Sequence, residues 1–241
     1  MRQVLALALT GVFFWGAVPV SSRAEVFPVD INGDGRTDQW QYRNAQGDLE
    51  KIEYDKNGDG QKDQTDFYNR EGLLVRAELD RDFNGTVDQI QFYSSDGALQ
   101  RIQKDPRLTG TLSLTEFYDP LGRLVAIETD DNQDGHPERR QVFNDHERLI
   151  RVERDRDEDG RMDAWDYFAE PGDRTHAAFD TRGDGQPDQW HYFAEGKRVR
   201  VEYDLNQDGA PDRWEYYSPE GRLTRVELDR NFDGKLDLIK R

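Results

Sequence analysis

The chain has 241 residues, 50 acidic against 33 basic side chains, a formal charge of −17 and no cysteine. A field of that sign repels nucleic acid and anionic membrane, and the missing thiols exclude both a disulfide framework and a lipid-anchored cysteine. Hydrophobic residues make up only 34 %, and low apolarity with high charge ordinarily predicts disorder; a multivalent cation that neutralises the acids reconciles this with 11 % aromatics and a strict periodicity.

Met1-Arg2-Gln3 is followed by an apolar run from Val4 to Val20, interrupted by Thr10, Gly11, Gly16 and Pro19, and then by Ser22-Arg23-Ala24. Small residues at the two positions a signal peptidase inspects, with no charged stop-transfer segment after them, predict a secretory signal over 1–24, cut after Ala24. The expected product is secreted, periplasmic or at the cell surface, with no membrane span. Losing Arg2 and Arg23 and no acid takes its charge to −19.

Residues 25–241 form a single predicted domain. Stacking Asp30, Asp55, Asp80, Asp105, Asp130, Asp155, Asp180, Asp204 and Asp229 gives nine units spaced by 25 residues, with one spacing of 24. Each unit opens with a loop such as Asp30-Ile-Asn32-Gly-Asp34-Gly35-Arg-Thr-Asp38, runs through Gln39-Trp40-Gln41-Tyr42, turns, and returns through Leu49-Glu-Lys-Ile52-Glu-Tyr54. The alternation has period two: Trp40 and Tyr42 share a face and Gln39 and Gln41 the other, so each unit is a β-hairpin. On the polar face, cross-strand charge pairs such as Glu215 with Arg225 are expected, in contact with solvent. The ninth unit stops in its first strand, for 17 strands in all. The fold class predicted is all-β, an array of nine antiparallel hairpin repeats forming a solenoid or extended twisted sheet, with the loops along one edge.

The loops carry the chemistry. Ca²⁺ takes six to eight oxygens, and a short loop converges them when acids or amides sit at alternate positions. Positions 1, 3, 5 and 9 do so here, with the main-chain carbonyl of position 7 as a fifth ligand and glycine at position 6 for the sharp turn. Seven loops keep a full set: Asp30, Asn32, Asp34, Arg36, Asp38; Asp55, Asn57, Asp59, Gln61, Asp63; Asp80, Asp82, Asn84, Thr86, Asp88; Asp130, Asn132, Asp134, His136, Glu138; Asp155, Asp157, Asp159, Arg161, Asp163; Asp204, Asn206, Asp208, Ala210, Asp212; and Asp229, Asn231, Asp233, Lys235, Asp237. Of these, Arg36, Gln61, Thr86, His136, Arg161, Ala210 and Lys235 offer the carbonyl only. About seven calcium ions are therefore expected. The fourth loop has Asp105, Arg107, Thr109 and Ser113, and no metal is expected there; in the seventh, Arg182 between Asp180 and Asp184 offers a guanidinium in place of an ion.

These nine residues resemble the calcium loops of EF-hands, dockerins, thrombospondin type 3 repeats and FG-GAP repeats. Position 12 (Gln41, Asp66, Gln91 and their equivalents) falls in a strand and not in a helix, so the strand-joining FG-GAP kind is the nearer likeness, although its Phe-Gly and Gly-Ala-Pro signatures are absent. In the hairpin half, Phe117-Tyr118-Asp119-Pro-Leu-Gly122-Arg123-Leu124 resembles the Tyr-Asp repeats of Rhs-type secreted shells, which implies a stacked hairpin array.

Trp40, Trp165, Trp190 and Trp214 suit a sugar-stacking platform, but their column also holds Thr65, Ile90, Thr115 and Arg140, which favours a half-buried packing face. The following aromatics, such as Tyr68, Tyr93 and Tyr118, point to the opposite face. His136, His146, His176 and His191 occupy unrelated repeat positions, and short hairpins promise no enclosed pocket for a carboxylate pair, so no catalysis is expected. The function expected is a calcium-stabilised scaffold or adhesion module for a cell-surface protein or glycan. A low-affinity calcium buffer or sensor is the alternative, and a glycan-binding or carbohydrate-active module a further one.

Overall fold

The computed structural model describes residues 24–169 and 172–241, so the signal expected over 1–24 lies almost wholly outside the described residues. Strand β1 (Glu25–Val29) comes first; hairpins β2–β3 (Gln39–Arg43, Leu49–Tyr54), β4–β5 (Gln64–Tyr68, Leu74–Leu79), β6–β7 (Gln89–Tyr93, Leu99–Lys104) and β8–β9 (Leu114–Tyr118, Leu124–Thr129) follow. The array continues through β10–β11 (Arg139–Phe143, Leu149–Arg154), β12–β13 (Ala164–Phe168, Arg174–Phe179), β14–β15 (Gln189–Ala194, Lys197–Tyr203) and β16–β17 (Arg213–Tyr217, Leu223–Leu228), and closes on β18 (Leu238–Lys240). These strands form one open antiparallel sheet, all-β as expected, in which each strand pairs with its neighbours in the chain. Every close backbone contact between elements is of that kind. Among the described residues there are 18 strands and not 17, because Val26, Phe27 and Val29 pair with β2 ahead of the first loop.

Within a hairpin the register shifts once. Tyr42 lies opposite Lys51 but Arg43 opposite Leu49, leaving Glu50 as a bulge, and the same irregularity recurs at Phe67/Tyr68 and Tyr216/Tyr217. That shift decides which residues meet, and it corrects the expected pairing. Glu215 lies opposite Val226 and not Arg225, whose guanidinium lies over the Tyr216 ring at 3.9 Å. Glu215 is buried, so its face is not the solvated one predicted.

Both faces are consequently mixed. On one, Tyr42, Phe67, Phe92, Tyr192 and Tyr216 lie against Lys51, Arg76, Arg101, Arg200 and Arg225, with each charge 3.9–4.2 Å from the ring centroid. The cation then pairs with an acid two residues on, as in Arg76–Glu78, Arg200–Glu202 and Arg225–Glu227, and the hydroxyls of Tyr42, Tyr192 and Tyr216 donate to Glu53, Glu202 and Glu227 at 2.7–2.9 Å. Trp40, Trp165, Trp190 and Trp214 are half-buried on this same face. On the other, the buried aliphatics Ile52, Ala77, Ile102, Val152, Ala177 and Val201 alternate with polar residues such as Asp66 and Glu215, and Tyr93, Tyr118 and Tyr217 donate to Gln91, Glu116 and Glu215.

Nine buried apolar residues stand against twenty buried polar or charged ones among the described residues. An interior of this kind is held by hydrogen bonds and ion pairs more than by transfer of apolar surface from water.

Candidate metal centres

Each nine-residue loop leads into the next outgoing strand, and seven of the nine are closed at the base by a backbone bond from position 9 to the residue before position 1: Asp38 N donates to Val29 O at 3.0 Å, and Asp63 N to Tyr54 O at 2.8 Å. Inside, the acids fold onto the main chain. Asp30 accepts from Gly33 N and Gly35 N (2.6 and 2.8 Å), and Asp38 from Ile31 N and Asn32 N (2.9 and 3.2 Å). Asn32 accepts from Asp34 N and Asp34 from Arg36 N (2.9 and 2.8 Å). The second, eighth and ninth loops repeat the scheme, with Asp55, Asp204 and Asp229 accepting at position 1 and Asp63, Asp212 and Asp237 at position 9. The reason is local: Asp and Asn in tight turns satisfy the N–H groups that the turn leaves without a ladder partner.

The ends of the motif differ from its middle in exposure. Asp63, Asp212 and Asp229 are each only 3 % exposed, whereas the acids and amides at positions 3 and 5 stand in solvent. In three loops the carboxylates converge: one oxygen each of Asp80, Asp82 and Asp88, of Asp130, Asp134 and Glu138, and of Asp155, Asp157 and Asp159 lie within 4.8 Å of one another. The crowding has an electrostatic signature. Asp157 is pushed above its ordinary value by desolvation and by the charges of Asp159, Asp163 and Asp155. Asp59 and Asp208 are held low, the first chiefly by the Gln61 N–H and the second chiefly by the Asn206 amide. An all-oxygen set that is flexible and anionic fits a hard divalent cation of calcium's size better than one that demands strict octahedral geometry.

The two loops lacking a full ligand set keep the frame. Asp105 accepts from Gly110 N and Asp180 from Gly185 N, at 2.6 and 2.7 Å. Their position-3 arginines leave the loop. Arg107 forms an ion pair with Asp131 of the fifth loop, and Arg182 donates to the Asp204 and Leu205 carbonyls of the eighth, 3.3 Å each, while its Nε stays 3.7 Å from Asp188 of its own loop. The guanidinium expected inside the seventh loop is thus shared between two loops.

Sequence reasoning missed one feature of every loop. Position 4 has positive φ in all nine, at Gly33, Gly58 and Gly183 but also at Phe83, Leu108, Gln133, Glu158, Gln207 and Phe232. Its only trace in the sequence was glycine at three of the nine positions. Position 6 carries a second constraint besides its turn, because a Cβ on Gly160 would come 3.3 Å from the His136 ring and one on Gly85 3.2 Å from Gln61. At these two places the residue at position 7 of one loop lies against the glycine of the next.

No family model matches the chain, and no curated protein does. Among solved structures it is similar to accessory secretory protein 1,2 and 3 of Streptococcus pneumoniae (17 % identity, TM-score 0.25, covering 47 % of this chain and 18 % of that one). It is also similar to TcdB2-TccC3-TEV (14 %, TM-score 0.23, 82 % and 13 %) and to a porin-like protein from Bacteroides uniformis ATCC 8492 (9 %, TM-score 0.23, 90 % and 91 %). The chain spans less than a fifth of the first two. TM-scores this low carry no argument about function. No helix among the described residues is long and apolar enough to cross a membrane.

Proposed function

We propose that this chain is an exported, non-catalytic scaffold whose hairpin array is stapled by calcium at seven loops and presents its sheet to a cell-surface protein or glycan. The observation that carries the reading is the convergence of three carboxylate oxygens within 4.8 Å in the third, fifth and sixth loops, over position-1 aspartates that are buried in the third and sixth. The residues that would hold the ion are those at positions 1, 3, 5 and 9 with the position-7 carbonyl. Calcium bound there supplies positive charge: seven ions add +14 to the −19 expected of the processed chain. Since so little apolar surface is buried, that neutralisation matters to folding. At free calcium about a hundredfold above the dissociation constant, each site contributes roughly 2.7 kcal/mol, less whatever the unfolded acids bind.

The polar interior supports a second reading. A fold with nine buried apolar residues among those described is marginal without its ions, and a loss of order on calcium depletion suits a buffer or sensor. Affinity separates the two: saturation far below ambient calcium supports the scaffold, and half-saturation within the ambient range supports the sensor. Calorimetric titration and a circular-dichroism melt with and without EGTA test both. The expected result is about seven ions and a large loss of melting temperature in chelator; a melt indifferent to EGTA overturns both.

A further inference from the structure

Repeats six and seven depart from the pattern in two ways that meet at one place. The return strand of each of the first five hairpins begins with leucine opposite the last residue of the outgoing strand: Leu49, Leu74, Leu99, Leu124 and Leu149. In the next two the corresponding residues are Arg174, opposite Phe168, and Arg198, opposite Phe193; the eighth returns to Leu223. The seventh hairpin is also the 24-residue unit. Its turn, Glu195-Gly196 with φ of +50° and +72°, leaves four residues between Phe193 and Arg198 where the eighth leaves five between Tyr217 and Leu223.

The shortened turn lies beside a notch of about 530 Å³ walled by Arg174, Lys197 and Arg198 on one side and Pro219-Glu220-Gly221 of the next turn on the other, with Phe179, His191 and Phe193 beneath. Three cations and one acid line it, on a chain of charge −17. Arg174 stacks on Phe193 at 3.9 Å and bonds Asp166 at 3.0 Å; Arg198 stacks on Tyr217 at 4.4 Å. Neither Arg198 nor Lys197 has a carboxylate partner in an ion pair among the described residues, and Glu220 is engaged by the Ser218 hydroxyl at 2.8 Å. A guanidinium this close over a ring is held in place by the contact, and that of Arg198 keeps N–H groups that can fork onto a carboxylate, sulfate or phosphate, while Arg174 already spends one on Asp166. The volume falls in the range of small-molecule sites.

We propose that this notch is a recognition site for an oxyanion-bearing ligand the size of an acidic sugar, held by Arg198 and Lys197 and backed by Arg174. The proposal rests on the sheet presenting a binding surface and not on calcium occupancy, so the two fail separately. Burial first, and then Arg198 and Arg174, keep the His191 imidazole below its ordinary value against the pull of Glu215, which makes its ring signals a local reporter.

The test is an NMR titration of the full mature chain, in saturating calcium and again in EGTA, with digalacturonate, inorganic phosphate and lactose. Digalacturonate is expected to shift the His191 signals saturably and lactose to leave them unmoved. Arg198→Leu restores the residue other hairpins carry, so folding is retained, and it should weaken binding at least tenfold; an alanine inserted between Glu195 and Gly196 should do likewise by filling the notch. Phosphate binding as tightly as digalacturonate assigns the site to the bare oxyanion, and digalacturonate binding alone assigns it to the sugar acid. Absence of a saturable shift with either anion, or binding unchanged in Arg198→Leu, overturns the proposal. Anion binding in a chain whose melt ignores EGTA leaves it standing while the calcium reading falls.

Discussion

Arg107 in the fourth loop forms an ion pair with Asp131 in the fifth, and Arg182 in the seventh donates to main-chain carbonyls of the eighth. Both stand at position 3, where seven loops carry Asn or Asp. The exchange puts a cation aimed at the neighbouring loop where the other loops carry an Asn or Asp; under the calcium reading proposed above, cohesion that an ion would supply elsewhere comes here from a covalently attached charge.

Two substitutions follow from that. Arg107→Ala removes a pair whose side chains are both more than half exposed, so the loss in EGTA should stay under about 1 kcal/mol. Arg182→Asp completes the set Asp180, Asp184 and Asp188 and should raise the calcium stoichiometry in calorimetry by one, whereas Arg107→Asp should not, since Thr109 and Ser113 remain. An unchanged stoichiometry for Arg182→Asp would count against the ligand assignment.

Glycine at position 6 is expected to be unequally intolerant of alanine. At Gly135 (φ +91°) nothing lies within 4 Å of a new Cβ, so the cost is that of a left-handed residue, about 1–2 kcal/mol. At Gly160 (φ +89°) a new Cβ would also sit 3.3 Å from the exposed His136 ring, which must shift by a few tenths of an ångström, and the loss should be larger. Thermal melts of the two single variants and of His136→Ala/Gly160→Ala check this: the double variant should recover the excess, and additivity would disprove the contact.

Position 4 offers the opposite opportunity. Glu158 is held at φ +60° by the bond from its N–H to Asp155 at 2.8 Å, a conformation that glycine adopts without steric cost. Glu158→Gly should therefore stabilise the chain by up to about 1 kcal/mol in urea unfolding, with calcium or without; a loss of stability would mean that the loop imposes no strain there.

The pH profile in EGTA should fall off on both sides. On the acid side, burial works to raise Asp166 and Glu215, but hydrogen bonds from Arg154 and Arg174 to the first, and from Tyr217 and Arg213 to the second, leave them below the ordinary 3.8 and 4.5. A depressed carboxylate contributes stability that is present above its ordinary value and lost as pH falls through the folded one. On the alkaline side Tyr42, raised to about 12 chiefly by its bond to Glu53, and Tyr217, raised to about 12 chiefly by burial, contribute stability intact below 10.0 and lost as pH rises towards 12. Urea midpoints across that range test the signs, and Asp166→Asn should flatten the acid limb.

The repeat, the hairpins and the loop frame were legible because each depends on local spacing: aspartates at alternate positions, glycine at a turn, and aromatics two apart, as Trp40 and Tyr42 are. Cross-strand register was not. Alternation tells which residues of one strand share a face, but the bulge at Glu50 and its equivalents decides what they meet, and so Glu215 was matched to Arg225 when its neighbour is Val226. Strand β1 was hidden by Pro28, which demotes a short apolar run to a non-strand; at an edge the missing N–H is tolerated, and Pro28 sits opposite Trp40 there. The inter-loop arginines were visible as departures from the motif, yet their direction depends on the neighbouring loop and so on the tertiary stack.

Because each strand touches only its chain neighbours, no contact among the described residues clamps the two ends of the array to each other. Under tension the molecule would pay out length in steps, one 25-residue unit at a time. Each step exchanges two strand widths for an extended segment, a gain of roughly 75 Å. A partner gripping one end would feel an extensible tether whose stiffness is set loop by loop.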